Sequence, residues 1–262
     1  MKKSWFIAET FDQSELAQGF DSLEAVFSLQ GEPVTEDKIS DVIKVALGDK
    51  NYYVKRYQKP RSKKVGWFKR SRVRAEWENL QFFASLGIPT PTLVAWGEHG
   101  KGDNFQGALI TEELLGAQDL ATLSQQGSTL FDQADWFKHT AKKVADYTRL
   151  IHAQRFIHLD LKWRNILVDS GKRPEVYFFD CPSGKHLSPL MFRRGRLKDL
   201  ACLDKIGRKR LRRSQRLLFF KYYVGCDCRH KLTSGQKDMA KKVARFSAYL
   251  EGESNEAGWH FF

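Results

Sequence analysis

The sequence predicts an α+β chain with a strand-rich first half and a helix-rich second half. Three observations point to it. Residues 41–47 and 52–57 alternate apolar and polar side chains on either side of Gly48-Asp49-Lys50-Asn51. Residues 135–153 carry Val144, Thr148 and Ile151 at helical spacing. Two short apolar runs, 166–168 and 176–179, bracket the turn residues Asp169-Ser170-Gly171-Lys172.

The elements follow in order. The first forty residues are mixed. Residues 41–57 read as a β-hairpin with Ile43, Val45 and Leu47 on one face. Residues 59–74 are basic and hold no Asp or Glu, with Trp67 and Phe68 among the cations. A helix is expected over 72–86, ended by Gly87, and Pro89 and Pro91 bar its continuation. A strand at 108–113 leads into Leu114-Leu115-Gly116, where the domain boundary is placed, between residues 1–115 and 116–262. Beyond the long helix and the second hairpin, the remainder reads as helical and basic.

Composition bounds the function. The 262 residues are 42% hydrophobic and 29% charged, an ordinary globular balance that excludes a disordered chain. Lys and Arg number 44 against 31 Asp and Glu, a formal charge of +13 that asks for an anionic partner. The cysteines Cys181, Cys202, Cys226 and Cys228 form no CxxC pair, so neither a zinc site nor a disulfide framework is expected, and a reducing compartment is. Met1-Lys2-Lys3 opens like a leader, but the apolar run after it stops at Glu9, and no stretch reaches the length of a membrane span.

The chemistry concentrates in His158-Leu159-Asp160-Leu161-Lys162-Trp163-Arg164-Asn165, followed by Phe178-Phe179-Asp180. Asn165 precedes one strand of the second hairpin and Asp180 follows the other, so both are expected at its open end. Asp160 lies in the loop that feeds that end. An amide oxygen and two carboxylates gathered there suit Mg²⁺ on nucleotide phosphates. A surface loop of solvated polar residues is the plain alternative. Lys55 alternates with Tyr53 and Tyr57 on one strand face and, read alone, is an ordinary strand lysine. Glu76 shares a helical stripe with Val73, Leu80 and Phe83, and a carboxylate there needs a cation, so a Lys55–Glu76 pair is expected. Glu78 falls beside Arg74 and reads as solvated.

The loop resembles the H-x-D-x-x-x-x-N catalytic loop of protein-kinase-like phosphotransferases. That resemblance implies a two-lobed fold with a small β-rich N-lobe and a larger helical C-lobe. It implies that Asp160 takes the proton of a substrate hydroxyl, that Lys162 neutralises the transferred phosphoryl group and that Asn165 and Asp180 hold Mg²⁺. By the same resemblance Lys55 and Glu76 are the phosphate-binding pair, His158 is structural, and Glu113 to Leu115 form a hinge whose backbone bonds adenine of ATP. Departures are plain. No G-x-G-x-x-G precedes the hairpin, so the stretch 31–40, with Lys38 and Ser40, would have to cover the phosphates. Leu159 stands where an Arg is usual, Asp180-Cys181-Pro182 replaces D-F-G, and no A-P-E follows.

The chain from about residue 31 to 223 is similar to the bacterial lipopolysaccharide kinase (Kdo/WaaP) family. The resemblance rests on Tyr52-Tyr53-Val54-Lys55, Ala75-Glu76-Trp77-Glu78, Leu86-Gly87-Ile88-Pro89-Thr90-Pro91, Ile110-Thr111-Glu112-Glu113-Leu114, the catalytic loop and Arg196-Leu197-Lys198-Asp199-Leu200-Ala201. It implies an ATP-dependent kinase of an inner-core heptose or Kdo. It also implies that Asp199 braces the catalytic loop from a helix, where a helix-capping surface Asp is the equal alternative. Core lipopolysaccharide is densely anionic. The basic clusters at 55–74 and 193–216 suit it and suit the cytoplasmic face of the inner membrane, with the protein expected to be cytoplasmic and peripheral. Two other readings stand beside this one: a kinase of the same fold with a small-molecule or protein acceptor, and a basic non-catalytic module, either a nucleic-acid binder or a pseudokinase scaffold. Nucleic acid is disfavoured because no helix-turn-helix or zinc-finger pattern is present.

Overall fold

The computed structural model describes residues 4–9, 11, 19–58, 70–227 and 229–252. The segment with Trp67 and Phe68, the Met1-Lys2-Lys3 start and Cys228 lie outside the described residues.

Contacts divide the chain into two compact units. The first comprises Met1–Phe82, Thr90–Leu115 and Asp180–Pro182; the second comprises Phe83–Pro89, Gly116–Phe179 and Ser183–Phe262.

The first unit is built on a six-stranded antiparallel sheet. Its strands are β1 (Ser4–Ile7), β2 (Glu32–Glu36), β3 (Ser40–Leu47), β4 (Lys50–Tyr57), β5 (Leu93–His99) and β6 (Gln106–Glu112), in the order β1-β5-β6-β4-β3-β2. The β3–β4 hairpin forms in the expected place because Ile43, Val45 and Leu47 all bury on one face. Its turn is tighter than Gly48 to Asn51, since pairing begins at Leu47 and Lys50, and Gly48 supplies the positive φ of 62° that such a turn needs. Helix α1 (Leu23–Ser28), capped by the Ser22 hydroxyl, adds Leu23 and Val26 to a core with Phe20, Tyr52, Val54, Val94 and Ile110. Sequence periodicity missed α1, β1 and β5. The run Val94-Ala95-Trp96 is buried on both faces, so it shows no alternation to read.

The stretch 31–40, expected to cover the phosphates, is a second hairpin, β2 to β3, closed by an Asx turn in which the Asp37 carboxylate accepts the N–H groups of Ile39 (2.7 Å) and Ser40 (2.8 Å). Two turn amides are thus bonded to the chain's own carboxylate, a local closure that Asp favours.

Helix α2 (Arg72–Ser85) carries Val73, Glu76, Leu80 and Phe83 on a buried stripe. In the second unit, α3 (Leu120–Gln125), α4 (Ala134–Ala153), α5 (Pro189–Arg210), α6 (Arg213–Tyr223) and α7 (Ser234–Gly252) pack with α4 on α6 and α5 on α7. Short strands β7 (Gln118–Asp119), β9 (Ile166–Val168) and β10 (Val176–Phe178) make a small antiparallel sheet in the order β10-β9-β7. β8 (Phe156–Ile157) pairs with β11 (Lys185–His186). The second strand of the 166–178 hairpin stops at Phe178, one residue short of the sequence reading.

Candidate active site

The expected residues form two groups, each within one unit. In the first unit, β4 and α2 bring Lys55 and Glu76 together. The Lys55 Nζ donates to both Glu76 oxygens, at 3.1 and 2.9 Å, and to Asp180 Oδ1 at 2.6 Å. The Glu76 side chain is only 5% exposed. Tyr57, two residues along the strand from Lys55, also donates its hydroxyl to Glu76. Burial by itself would depress the Lys55 ammonium; the Glu76 carboxylate, then Tyr57 and Asp180, overrule it and hold its pKa well above the ordinary value. Burial lifts the Glu76 carboxyl above its usual range against the pull of Lys55. Asn79, one turn beyond Glu76, donates Nδ2 to the carbonyl of Cys181 at 2.7 Å. That bond anchors the residue after Asp180, and sequence reasoning missed it. A buried Asn one turn from Glu76 was its only signal. Glu78 pairs instead with Arg70 and Arg74, both at 2.8 Å, on the exposed side of the helix.

Glu113 is held by Lys44 Nζ (2.6 Å), Asn51 Nδ2 (2.7 Å) and, more distantly, the Tyr53 hydroxyl (3.3 Å). Its backbone N–H donates to the Asn51 carbonyl at 2.8 Å. Lys44 keeps the Glu113 carboxyl below the ordinary range. Leu115 is 82% exposed.

In the second unit, the loop 158–165 leaves β8 and returns into β9. Asp160 stands a third exposed, with Lys162 Nζ 2.6 Å from Oδ1 and Arg164 3.5 Å from Oδ2. Asn165 is 1% exposed and donates Nδ2 to the Asp160 carbonyl at 2.8 Å. Its own carbonyl accepts the Phe179 N–H at 3.2 Å, so the last ordered step of the hairpin fixes the residue before Asp180. Leu159 on this loop holds left-handed backbone (φ 68°), as does Asp180 of the first unit (φ 53°). Such angles are uncommon outside glycine and need enforcement by neighbours.

Asp199 supplies that enforcement at Leu159. It sits on α5 with no exposed surface, and its two oxygens accept the N–H groups of His158 (2.8 Å) and Leu159 (2.9 Å). It is an interior brace rather than a surface cap. His152 Nε2 lies 3.3 Å from Asp199, and His152 Nδ1 lies 2.8 Å from the Tyr223 hydroxyl. The tautomer that serves all three groups puts the ring proton on Nε2 and lets Tyr223 donate to Nδ1. Burial pushes the Tyr223 phenol up, which keeps it a donor. The sequence reading named neither His152 nor Tyr223. A His beside Ile151 on the buried stripe of α4 was the available signal. His158 is fully buried, its ring stacked on Phe83 at 5.9 Å.

Among the described residues no cluster of three or more His, Cys, Asp or Glu side chains forms a metal site. The donors at hand are hard oxygens. Asn165 uses its amide nitrogen on the loop, which leaves the amide oxygen as the donor that Mg²⁺ prefers. Asp180 offers a carboxylate.

The second unit also contains an apolar cavity of about 240 Å³, lined by Val144 of α4, Leu203 of α5, Phe220 of α6 and Val243 of α7, with Thr140, Arg213 and Arg216. The Thr140 hydroxyl is buried and meets no hydrogen-bond partner among the described residues.

Comparisons with known proteins bear on this arrangement. The model of the lipopolysaccharide kinase (Kdo/WaaP) family matches residues 23–223. A stretch of 122 residues is 29% identical to the lipopolysaccharide core heptose(I) kinase WaaP of Pseudomonas aeruginosa, covering 42% of this chain and 44% of that protein. The match thus spans under half the length of that relative. A solved structure described as WaaP in complex with acyl carrier protein superposes with a TM-score of 0.71 at 22% identity, over 96% of this chain and all of that one. The fold is therefore α+β and protein-kinase-like, with an antiparallel sheet in the first part and helices in the second. The family model covers most of the chain, and the chain belongs to the lipopolysaccharide kinase (Kdo/WaaP) family.

Proposed function

We propose that this protein is an ATP- and Mg²⁺-dependent phosphotransferase that phosphorylates an inner-core sugar of lipopolysaccharide, heptose or Kdo, at the cytoplasmic face of the inner membrane. The observation that carries the reading is an Asp160 carboxylate a third exposed, 2.6 Å from an ammonium, on a loop held by the buried Asp199. A base must reach a hydroxyl, so it must be exposed and positioned. Asp160 orients the sugar hydroxyl and accepts its proton as the oxygen attacks the γ-phosphate in line. Lys162 balances the negative charge that gathers beside it. Lys55, held charged by Glu76, binds the nucleotide phosphates. Glu113 to Leu115 offer backbone groups to adenine. Asn165 and Asp180 would hold Mg²⁺, which when bound screens the phosphate oxygens. His158 and Asp199 are positioning residues for the loop.

The test is to incubate the protein with ATP, Mg²⁺ and defined core oligosaccharides and to locate new phosphate by mass spectrometry. Phosphate on a heptose or Kdo hydroxyl supports the reading. Labelling of a peptide or small alcohol instead of glycan moves the acceptor and keeps the fold chemistry.

The apolar cavity favours a second partner. The solved WaaP structure is described with acyl carrier protein, and a cavity with this lining suits an acyl chain. If the protein takes one, acylated carrier raises its melting temperature, the unacylated carrier does so less, and Val243→Trp removes the difference.

A further inference from the structure

We propose that the first turn of α5 and the last turn of α4 form a docking face for an anionic lipid bilayer; this deepens the kinase reading by saying where a membrane-anchored acceptor is met. Those two turns lie together. The Leu187 N–H donates to the Arg155 carbonyl at 3.0 Å, His186 Nδ1 lies 2.9 Å from the Gln154 carbonyl, and the rings of His152 and Phe192 meet at 5.9 Å. Gly195 brings α5 so close to β8 that a Cβ would meet Ile157 at 2.8 Å.

The surface so formed is apolar at its crest and cationic around it. Leu190 is 83% exposed, and Leu150 and Met191 are about 40% and 38% exposed. Exposed Arg155, Lys185 and Arg193 stand on the same segments. From residue 183 to 198 the chain has no Asp or Glu. The far end of the basic cluster is different. Arg210 bonds Asp132 and the Ser128 carbonyl, and Arg216 grips Asp204 with two bonds of 2.7 Å. Those two cations serve the fold, while Arg193 and Arg194 near the start of α5 stand exposed.

A groove would suit a peptide, but Leu190 and Met191 rise on a helix start. Large aliphatic side chains in that setting enter the acyl boundary of a bilayer while neighbouring Arg and Lys reach the phosphates. The same face adjoins β8, whose next residues are His158, Leu159 and Asp160. A bilayer seated there brings a lipid-anchored sugar to the loop that carries the base.

The test is sedimentation of the full chain with vesicles of phosphatidylethanolamine and phosphatidylglycerol, and with vesicles of phosphatidylcholine. Wild type is expected to sediment with the first and not the second, and less at high salt. The double variant Leu190→Glu/Met191→Glu should lose about tenfold or more in partitioning. Arg193→Glu should lose about fivefold or more and show a weaker salt dependence. The charge-matched control Lys237→Glu, at an exposed position of α7, should stay within about twofold of wild type. Melting temperatures confirm that each variant is folded, and Arg193→Glu carries the test if the double variant is not. The proposal is overturned if wild type ignores anionic vesicles, if the double variant sediments as wild type does, or if the α7 control loses as much. It is also overturned if the substitutions abolish binding to an acidic carrier protein and leave vesicle binding intact. Transfer to delipidated core oligosaccharide is read separately. Wild type without that activity sinks the kinase reading alone, while the double variant should keep it.

Discussion

Two kinds of carboxylate assembly in this molecule are built to opposite specifications. Around Glu76 and around Asp199 the acids are buried and every approach is filled: Lys55 and Tyr57 on one, two backbone amides and His152 on the other. Around Asp160 the acid is a third exposed and its neighbours, Lys162 and Arg164, are more exposed still. A buried charge persists only if it is neutralised and hydrogen-bonded, so removing one partner strands the rest. An exposed charge is solvated whatever its neighbours do, so its loss leaves folding alone. The buried acids hold shape and the open one is available for chemistry.

Substitutions sharpen that contrast. The largest expected effect is on rate: Asp160→Asn should lower phosphate transfer by about 10²–10⁴ while ATP affinity and melting temperature stay put. Steady-state kinetics beside a thermal melt checks it, and a large fall in melting temperature would erase the distinction between the two assemblies. Glu76→Ala should do the reverse first, destabilising by about 3 kcal/mol because Lys55 is left buried with Asp180 alone; a denaturant titration reads this. Asp199→Asn keeps an acceptor for one loop amide and turns a donor toward the other. A loss of about 2 kcal/mol is expected, with kcat lowered more than ATP affinity, since the brace acts through Leu159 and Asp160. An unchanged kcat would make Asp199 purely structural.

The smallest effect belongs to Glu113. Its carboxyl is held below the ordinary 4.5 by Lys44, so the pair stabilises the folded state above that pH and ceases to as pH falls through the lowered value. Lys44→Met should therefore reduce the denaturant midpoint slightly near neutrality, and the gap from wild type should close in acid. A gap that widens in acid would contradict the assigned direction.

Much of this was legible in the chain. Alternation marked β3 and β4 because one face of each buries, and the stripe Val73, Glu76, Leu80, Phe83 announced a buried acid that needed Lys55. The loop from His158 to Asn165 could be read because its chemistry is local, with Asn165 reaching back five residues to Asp160. Other features left no such trace. The 31–40 stretch reads as a loop until the Asp37 carboxylate is seen closing it. β5 hides because it is covered on both faces, and a uniform apolar run has no period.

Sequence alone determined which side chains carry reactive groups and on which face of a helix or strand they fall, since periodicity is a property of the local backbone. Only the tertiary structure decided which of them are braced and which are open. Asp199 could be surface cap or interior brace until α5 packed it against two amides more than forty residues back in the chain or close to it. The same packing tied Arg210 and Arg216 into the fold and left Arg193 exposed beside Leu190, although all three arginines lie in one basic stretch. Contacts of that range depend on how elements meet, and no short window of sequence encodes the meeting.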